Sequence, residues 1–247
     1  AVVVIRGVTS GFFSYKIAFF IGPFLGALLG LVNGLLACYL RLNPLIVTLA
    51  TLNIFRGFAI RIGGLQILRV PSELTLLGLG KLFGVPIPLV ILIVSTIICW
   101  LLSQYTWFGK QVTAIGCSLK SAVETGIPVK KVVTLAYVLT GFLTGIGSLI
   151  LIGRVGAVQP NLGIGSEFTA ISAVVLGGTL LSGGIGSIIG SIIGAVFLNL
   201  ISNGLNLLGV SIYAYDIVRG IILVSAALVD KVATVRFIKR WIYREEL

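Results

Sequence analysis

Residues able to do covalent chemistry are few and scattered in this 247-residue chain. Its seven carboxylates are Glu73, Glu124, Glu167, Asp216, Asp230, Glu245 and Glu246. General acid–base work needs two titratable groups held together, yet only the last two are neighbours, in a charged tail. None sits near the middle of an apolar run, where a proton or ion relay would put one. The chain has no His to act as a base or metal ligand. Cys38, Cys99 and Cys117 share no metal-ligand spacing, and two of them lie in apolar runs as small hydrophobes. Gly177-Gly178 and Gly183-Gly184-Ile185-Gly186 outline a superficial phosphate cradle, but no Lys-Ser/Thr follows, so this is not a P-loop. The expectation is a protein that is not an enzyme and holds no cofactor or metal. If it moves solute uphill, a partner must supply the energy.

What remains is neutral polar chemistry and glycine. Asn33, Asn53, Asn199, Asn203 and Asn206 lie in or near apolar runs. Each is a candidate for lining a solute path, with a bond to a neighbouring helix as the plainer alternative. Gly22, Gly26, Gly30 and Gly34 recur at i+4, as do Gly186, Gly190 and Gly194, with Gly141 and Gly145 between them. Small residues at this spacing let helix backbones approach closely, gaining contact that lipid cannot offer. These positions are read as helix-packing faces.

The elements that must carry these residues follow from composition. The chain is 57% hydrophobic and only 10% charged, with mean hydropathy +1.16; soluble domains carry about 25% charged residues. A spanning helix needs about 20 mostly apolar residues. The fold class expected is all-α: a polytopic transmembrane bundle of about six or seven spans, forming a single membrane domain over 1–247. The spans fall at Ile17–Leu40, Leu45–Ile62, Leu89–Tyr105, Val132–Ile152, Ile185–Leu208 and from Ile217 to about Val229. The stretch 168–181 is apolar but short, a tilted or broken helix ending in glycines. Gly63–Pro88, rich in proline and charge, suits an extramembrane loop with a short interfacial helix.

The net charge of +11 would suggest nucleic acid in a soluble protein. In a membrane protein it reflects basic cytoplasmic loops and anionic headgroups, so no nucleic-acid partner is expected. The loop 106–131 holds four Lys, and the tail from Lys231 holds five Lys or Arg. Both are placed on the cytoplasmic side, with Tyr105 and Trp107 as interfacial anchors. Within that loop a helix is expected at about Ser118–Thr125, with Gly126 as its C-cap and Ile127-Pro128 beyond. A short helix held between two spans by a glycine turn makes a mechanical connector.

Several stretches carry a resemblance: Leu31–Gly57 (LVNGLLACYLRLNPLIVTLATLNIFRG), the loop TWFGKQVTAIGCSLKSAVETGIPVKKV, Gln159–Ala195, and Asn203–Val210. From about residue 25 to 231 the chain resembles the sugar-type permeases of bacterial ATP-binding-cassette importers, the group that includes ribose, arabinose, xylose, galactose and autoinducer-2 permeases. The resemblance implies a bacterial inner-membrane subunit that pairs with a second permease subunit, identical or paralogous. It also implies a cytoplasmic ATPase that uses the ATP and a periplasmic or lipid-anchored solute-binding protein. The stretch Ala114–Lys131 matches the coupling element that fits the ATPase. On that likeness Ala114, Gly116, Ala122, Glu124, Gly126 and Ile127 belong to the coupling loop, with Lys130 and Lys131 flanking it.

Two departures stand out. The chain has no Met and no Gly-Asp/Ile-Asp-Leu-Ser-Val-Gly-like segment, which leads to the expectation that N-terminal spans of the full family are missing from it. Ser118-Leu119-Lys120 also stands where acidic and amide residues are common. The rival readings are a secondary transporter or channel for a small polar solute, and a membrane scaffold or membrane enzyme. A carboxylate within a span, or a catalytic cluster in a loop, would speak for them.

Overall fold

The computed structural model describes residues 1–11, 15–40, 42–64, 67–210, 217–218, 220–222 and 224–225. These form ten helices and two minimal β-pairs: α1 Val2–Thr9, α2 Tyr15–Tyr39, α3 Pro44–Gly63, β1 Leu68–Arg69, α4 Ser72–Leu79, β2 Lys81–Leu82, β3 Val85–Pro86, α5 Ile87–Tyr105, α6 Trp107–Cys117, α7 Leu119–Glu124, α8 Val129–Val155, β4 Ala157–Val158, α9 Ser166–Leu176 and α10 Ile188–Leu207. Five of them, α2, α3, α5, α8 and α10, are long and apolar enough to cross a membrane. This is a polytopic helical membrane protein. Nearly half of the expected last span, and the whole basic tail, lie outside the described residues.

The chain divides into two compact units, Ala1–Ile98 with Val123–Leu162, and Cys99–Ala122 with Gly163–Leu247. In the first, α2 and α8 are the principal packing pair. They run antiparallel, and glycine sets their separation. A methyl group built on Gly26 would fall on the carbonyl oxygen of Gly141, and one on Gly30 would fall on that of Tyr137. One on Gly34 would stand 3.0 Å from the Thr134 Cα, and one on Gly145 only 2.7 Å from the Cα of Pro23. Gly22 meets a side chain instead, Leu149, at 2.7 Å. Four glycines one turn apart thus bring two backbones together along most of a span, which is how membrane helices gain dispersion energy without a hydrophobic drive.

The sequence sets these helices' ends by ordinary capping. Asn43 accepts a hydrogen bond from the Leu45 N–H at 2.9 Å, and Pro44 supplies a preset φ at the first helical position. That pair turns the chain sharply between α2 and α3. At the other end of α8, Gly78 of α4 lies against Gly153 and Arg154. There β1 pairs with β4, Leu68 opposite Val158. The loop 64–86 and the start of the segment after α8 therefore share one end of the unit, while Tyr39 and Lys130 share the other.

Unexpected from hydropathy, residues 2–9 form a helix, and it is the most buried one. Ile5 is fully enclosed and Val4 nearly so, in a cluster with Ala18, Leu74, Leu149, Ile152 and Val158. Helix α5 is the opposite case, since none of its residues is buried within this chain. Leu92, Ile93, Ile97 and Ile98 are all about half exposed, as suits a helix whose solvent is lipid or a neighbouring subunit.

In the second unit α9 packs on α10, again through small residues. A methyl on Gly190 would strike the carbonyl oxygen of Gly177, and one on Gly194 that of Ala173. With 11 residues, α9 rises only about 16 Å, half the hydrocarbon thickness. It gives way to a glycine-rich loop in which Gly178, Gly183 and Gly184 all have positive φ. The Leu180 N–H bonds to the Ile185 carbonyl at 3.0 Å and the Gly183 N–H to the Leu180 carbonyl at 3.1 Å. Such internal pairing lets non-helical backbone sit at membrane depth. Helix α10 begins at Ile188, later than hydropathy places it, because the Ser187 hydroxyl caps the Gly190 N–H at 3.0 Å. Gly186 consequently lies in the loop, 3.1 Å (by its built methyl) from the Thr179 Cγ2, and not on the packing face with Gly190 and Gly194.

Candidate functional site: a coupling segment and a polar-lined cavity

The segment between α5 and α8 is two helices and a turn. Thr106 caps α6 by accepting from the Gly109 N–H at 3.3 Å. Lys110 lies over the Trp107 ring, 5.5 Å from its centre, and Trp107 is 78% exposed, an arrangement suited to a headgroup boundary. Ser118 then ends α6 and opens α7, where its hydroxyl receives the Ser121 N–H at 3.3 Å. Helix α7 ends at Gly126, whose φ of +78° is one only glycine adopts freely. Its N–H closes on the Val123 carbonyl at 3.0 Å. Two residues later Pro128 starts α8, with its carbonyl accepting from the Lys131 and Val132 N–H groups at 3.0 and 3.1 Å.

Helix α7 is two-faced. Ala122 is 2% exposed, whereas Leu119 and Val123, four residues apart, are 58% and 59% exposed. Lys120, Glu124, Gly126, Lys130 and Lys131 are exposed too, and Ile127 is half-buried. The Lys130 ammonium stands 5.1 Å from the centre of the Tyr39 ring, joining the end of α2 to the start of α8. Ala114 and Gly116, both half-buried, are placed differently. Gly116 abuts the glycine loop, its built methyl 2.5 Å from the Gly184 nitrogen. Ala114 lines a cleft with Ser103, Lys110, Thr113 and Cys117.

A second feature lies in the first unit, a cavity of about 530 Å³ among α1, α2, α3 and α8. Of the five asparagines, only Asn33 lines it. Its Oδ1 is buried with no hydrogen-bond partner. Asn53 donates to the Leu49 carbonyl at 3.0 Å and Asn199 to the Ala195 carbonyl at 2.9 Å, both on exposed helix faces. Asn203 and Asn206 are exposed on α10.

The cavity's polar wall is a stripe that the asparagine search overlooked: Tyr137, Thr140, Thr144 and Ser148 on α8, with Thr48 of α3 nearby. Thr140 donates to the Ala136 carbonyl, Thr144 to that of Thr140, and Ser148 to that of Gly145, each at 2.8 Å. Their spacing of four residues was a readable signal, because it interleaves Gly141 and Gly145 on an adjacent face. Among the described residues no group of three His, Cys, Asp or Glu could hold a metal ion.

Comparison with known proteins agrees with this architecture. The chain is 39% identical over 202 residues to the ribose import permease protein of Bacillus subtilis (strain 168), covering 81% of the chain and 63% of the relative. It is 38% identical over 201 residues to the L-arabinose transport system permease protein of Escherichia coli (strain K12), covering 81% and 61%. The autoinducer 2 import system permease protein of Photorhabdus luminescens matches at 33% over 221 residues, 86% and 66%. In each case the match spans less than two thirds of the relative's own length. No solved structure matches the chain significantly. The family model described as branched-chain amino acid transport system / permease component matches residues 1–227, so this helical membrane chain, built on glycine-packed spans, belongs to that permease family.

Proposed function

We propose that this chain is the permease subunit of an ATP-driven importer in a bacterial inner membrane, forming the membrane path for a sugar or sugar-like solute with a second permease subunit. The observation that carries the coupling is α7. Its short helix presents Leu119 and Val123 outward while Ala122 holds it to the protein, and the Gly126 turn leads directly into α8. A cytoplasmic ATPase gripping the exposed face would move α8 with it. A solute-binding protein would deliver cargo at the opposite end, where β1 and β4 pair. The sugar class rests on the names of the ribose and L-arabinose relatives.

On this reading Glu124, Gly126 and Ile127 belong to the docking surface with Leu119 and Val123, and Lys130 and Lys131 lie beside it. Ala122, expected in that surface, is buried beneath it and seats α7 on the protein. Ala114 and Gly116 tie α6 to the glycine loop. The positions Gly22, Gly26, Gly30, Gly34, Gly190 and Gly194 serve helix packing. The loop 106–131 and the basic tail are cytoplasmic. A self-powered carrier is the weaker reading, because among the described residues no Asp or Glu lies in the five long helices.

The test is uptake of D-ribose or L-arabinose into vesicles carrying the permease with its partner ATPase and binding protein. Uptake that requires ATP is the expected result. Equal uptake by the permease alone without ATP would overturn the assignment.

A further inference from the structure

The cavity among α1, α2, α3 and α8 combines four properties. It holds about 530 Å³, within the roughly 300–1,000 Å³ usual for small-molecule sites. Most of its wall is apolar, and no charged side chain lines it, so an ionic solute would lose its hydration there without a side-chain partner of opposite charge. The hydroxyls of Thr48, Thr140, Thr144 and Ser148 already spend their protons on helix carbonyls. What they still offer is acceptor lone pairs. Asn33 adds a buried carbonyl oxygen without any donor, a state that costs free energy until a donor arrives.

The missing complement is therefore a neutral molecule rich in O–H donors. We propose that this cavity is a solute-recognition subsite for an uncharged polyhydroxylated molecule, whose hydroxyls bond Asn33 and the Thr140–Thr144–Ser148 stripe while its carbon face lies on the apolar wall. The inference rests on the importer reading, in which solute crosses this subunit. It goes further by naming the residues that meet the solute and the direction of their hydrogen bonds. A stripe of single, weak acceptors also suits a way-station, since a solute in transit must be held loosely enough to leave.

The experiment uses the complete importer, the permease with its ATPase and binding protein, in vesicles with D-ribose and L-arabinose as probes. Thr144→Val and Ser148→Ala remove one acceptor each with little change of volume. The expected result is uptake lowered about fivefold for each lost hydrogen bond, with basal ATP hydrolysis and thermal midpoint unchanged and with Thr144→Ser restoring uptake. Wild-type uptake by the double variant would overturn the subsite while leaving the importer reading intact. A parallel fall in hydrolysis and uptake would also overturn it, as a purely structural effect. Failure of the wild type to take up either sugar would sink the importer reading and the subsite with it. A second measurement does not depend on turnover: Thr144→Cys, on a background free of the three native cysteines, should be shielded by D-ribose from a small thiol reagent. Labelling that D-ribose does not slow would contradict the proposal.

Discussion

Glycine acts in this protein at particular atoms. On α8, Gly141 and Gly147 are six residues apart and have opposite surroundings. A methyl on Gly141 would meet the carbonyl oxygen of Gly26, while one on Gly147 would meet nothing within 4 Å. Gly141→Ala should therefore destabilise the detergent-solubilised protein by about 1–3 kcal/mol through overpacking. Gly147→Ala should be neutral or stabilising by up to about 1 kcal/mol, since alanine is the better helix former. Equal thermal midpoints for the two variants would show that α2 and α8 do not pack as described. At Gly126 the constraint is backbone conformation, because space around it is open. Gly126→Val should leave the protein in the membrane but cut ATP-dependent uptake by about tenfold or more, as the positive φ disfavours a β-branched residue. Unchanged uptake would remove Gly126 from the coupling turn. The i+4 glycines of α2 were legible in sequence. The hydroxyl stripe was harder to see, because Thr and Ser in a span usually bond their own helix, and only the cavity distinguishes these from the rest.

Elements were legible where a single physical requirement fixed them. Hydropathy over about 20 residues located five spans to within a few residues, because bilayer thickness imposes that length. It failed for α1, whose eight residues, Val2–Thr9, are too few for a span and too β-branched to look helical. There burial against α2 and α3 decides the conformation. It placed the short helix at 118–125, close to α7, but missed α6, since Thr106 and Ser118 set that helix's ends as caps and not through hydropathy. The short α9 was anticipated because its glycine exit is written in the sequence. The element carrying the most specific prediction is α7. Leu119→Asp with Val123→Asp changes only exposed side chains, so insertion should be normal while co-purification of the ATPase falls about tenfold or more. Full retention of the ATPase would place the docking surface elsewhere.

At the scale of the molecule, the ends of the first unit make sidedness testable. Lys131, exposed at the start of α8, marks one end, and Phe83, 99% exposed in a two-residue hairpin turn with positive φ, belongs to the loop at the far end. Lys131→Cys should react with a membrane-impermeant thiol reagent only from the cytoplasm, and Phe83→Cys only from outside. The reverse pattern would invert the orientation drawn from basic residues and with it the coupling proposal. Orientation from the sequence rested on loop 106–131 and the tail, and Arg56, Arg61, Arg69, Lys81, Arg154 and Arg219 ran against it. The antiparallel packing of α2 and α8 adds what charge statistics could not, which loops share an end.

One consequence lies in the length of α8. Its 27 uninterrupted residues make a stiff strut about 40 Å long, anchored at one tip by the Pro128 turn and at the other by the glycine contact with α4. Tilting such a strut by about 5° at its lower tip displaces the upper one by about 3.5 Å, given that length. That travel reaches the far end of the span with no hinge inside the helix.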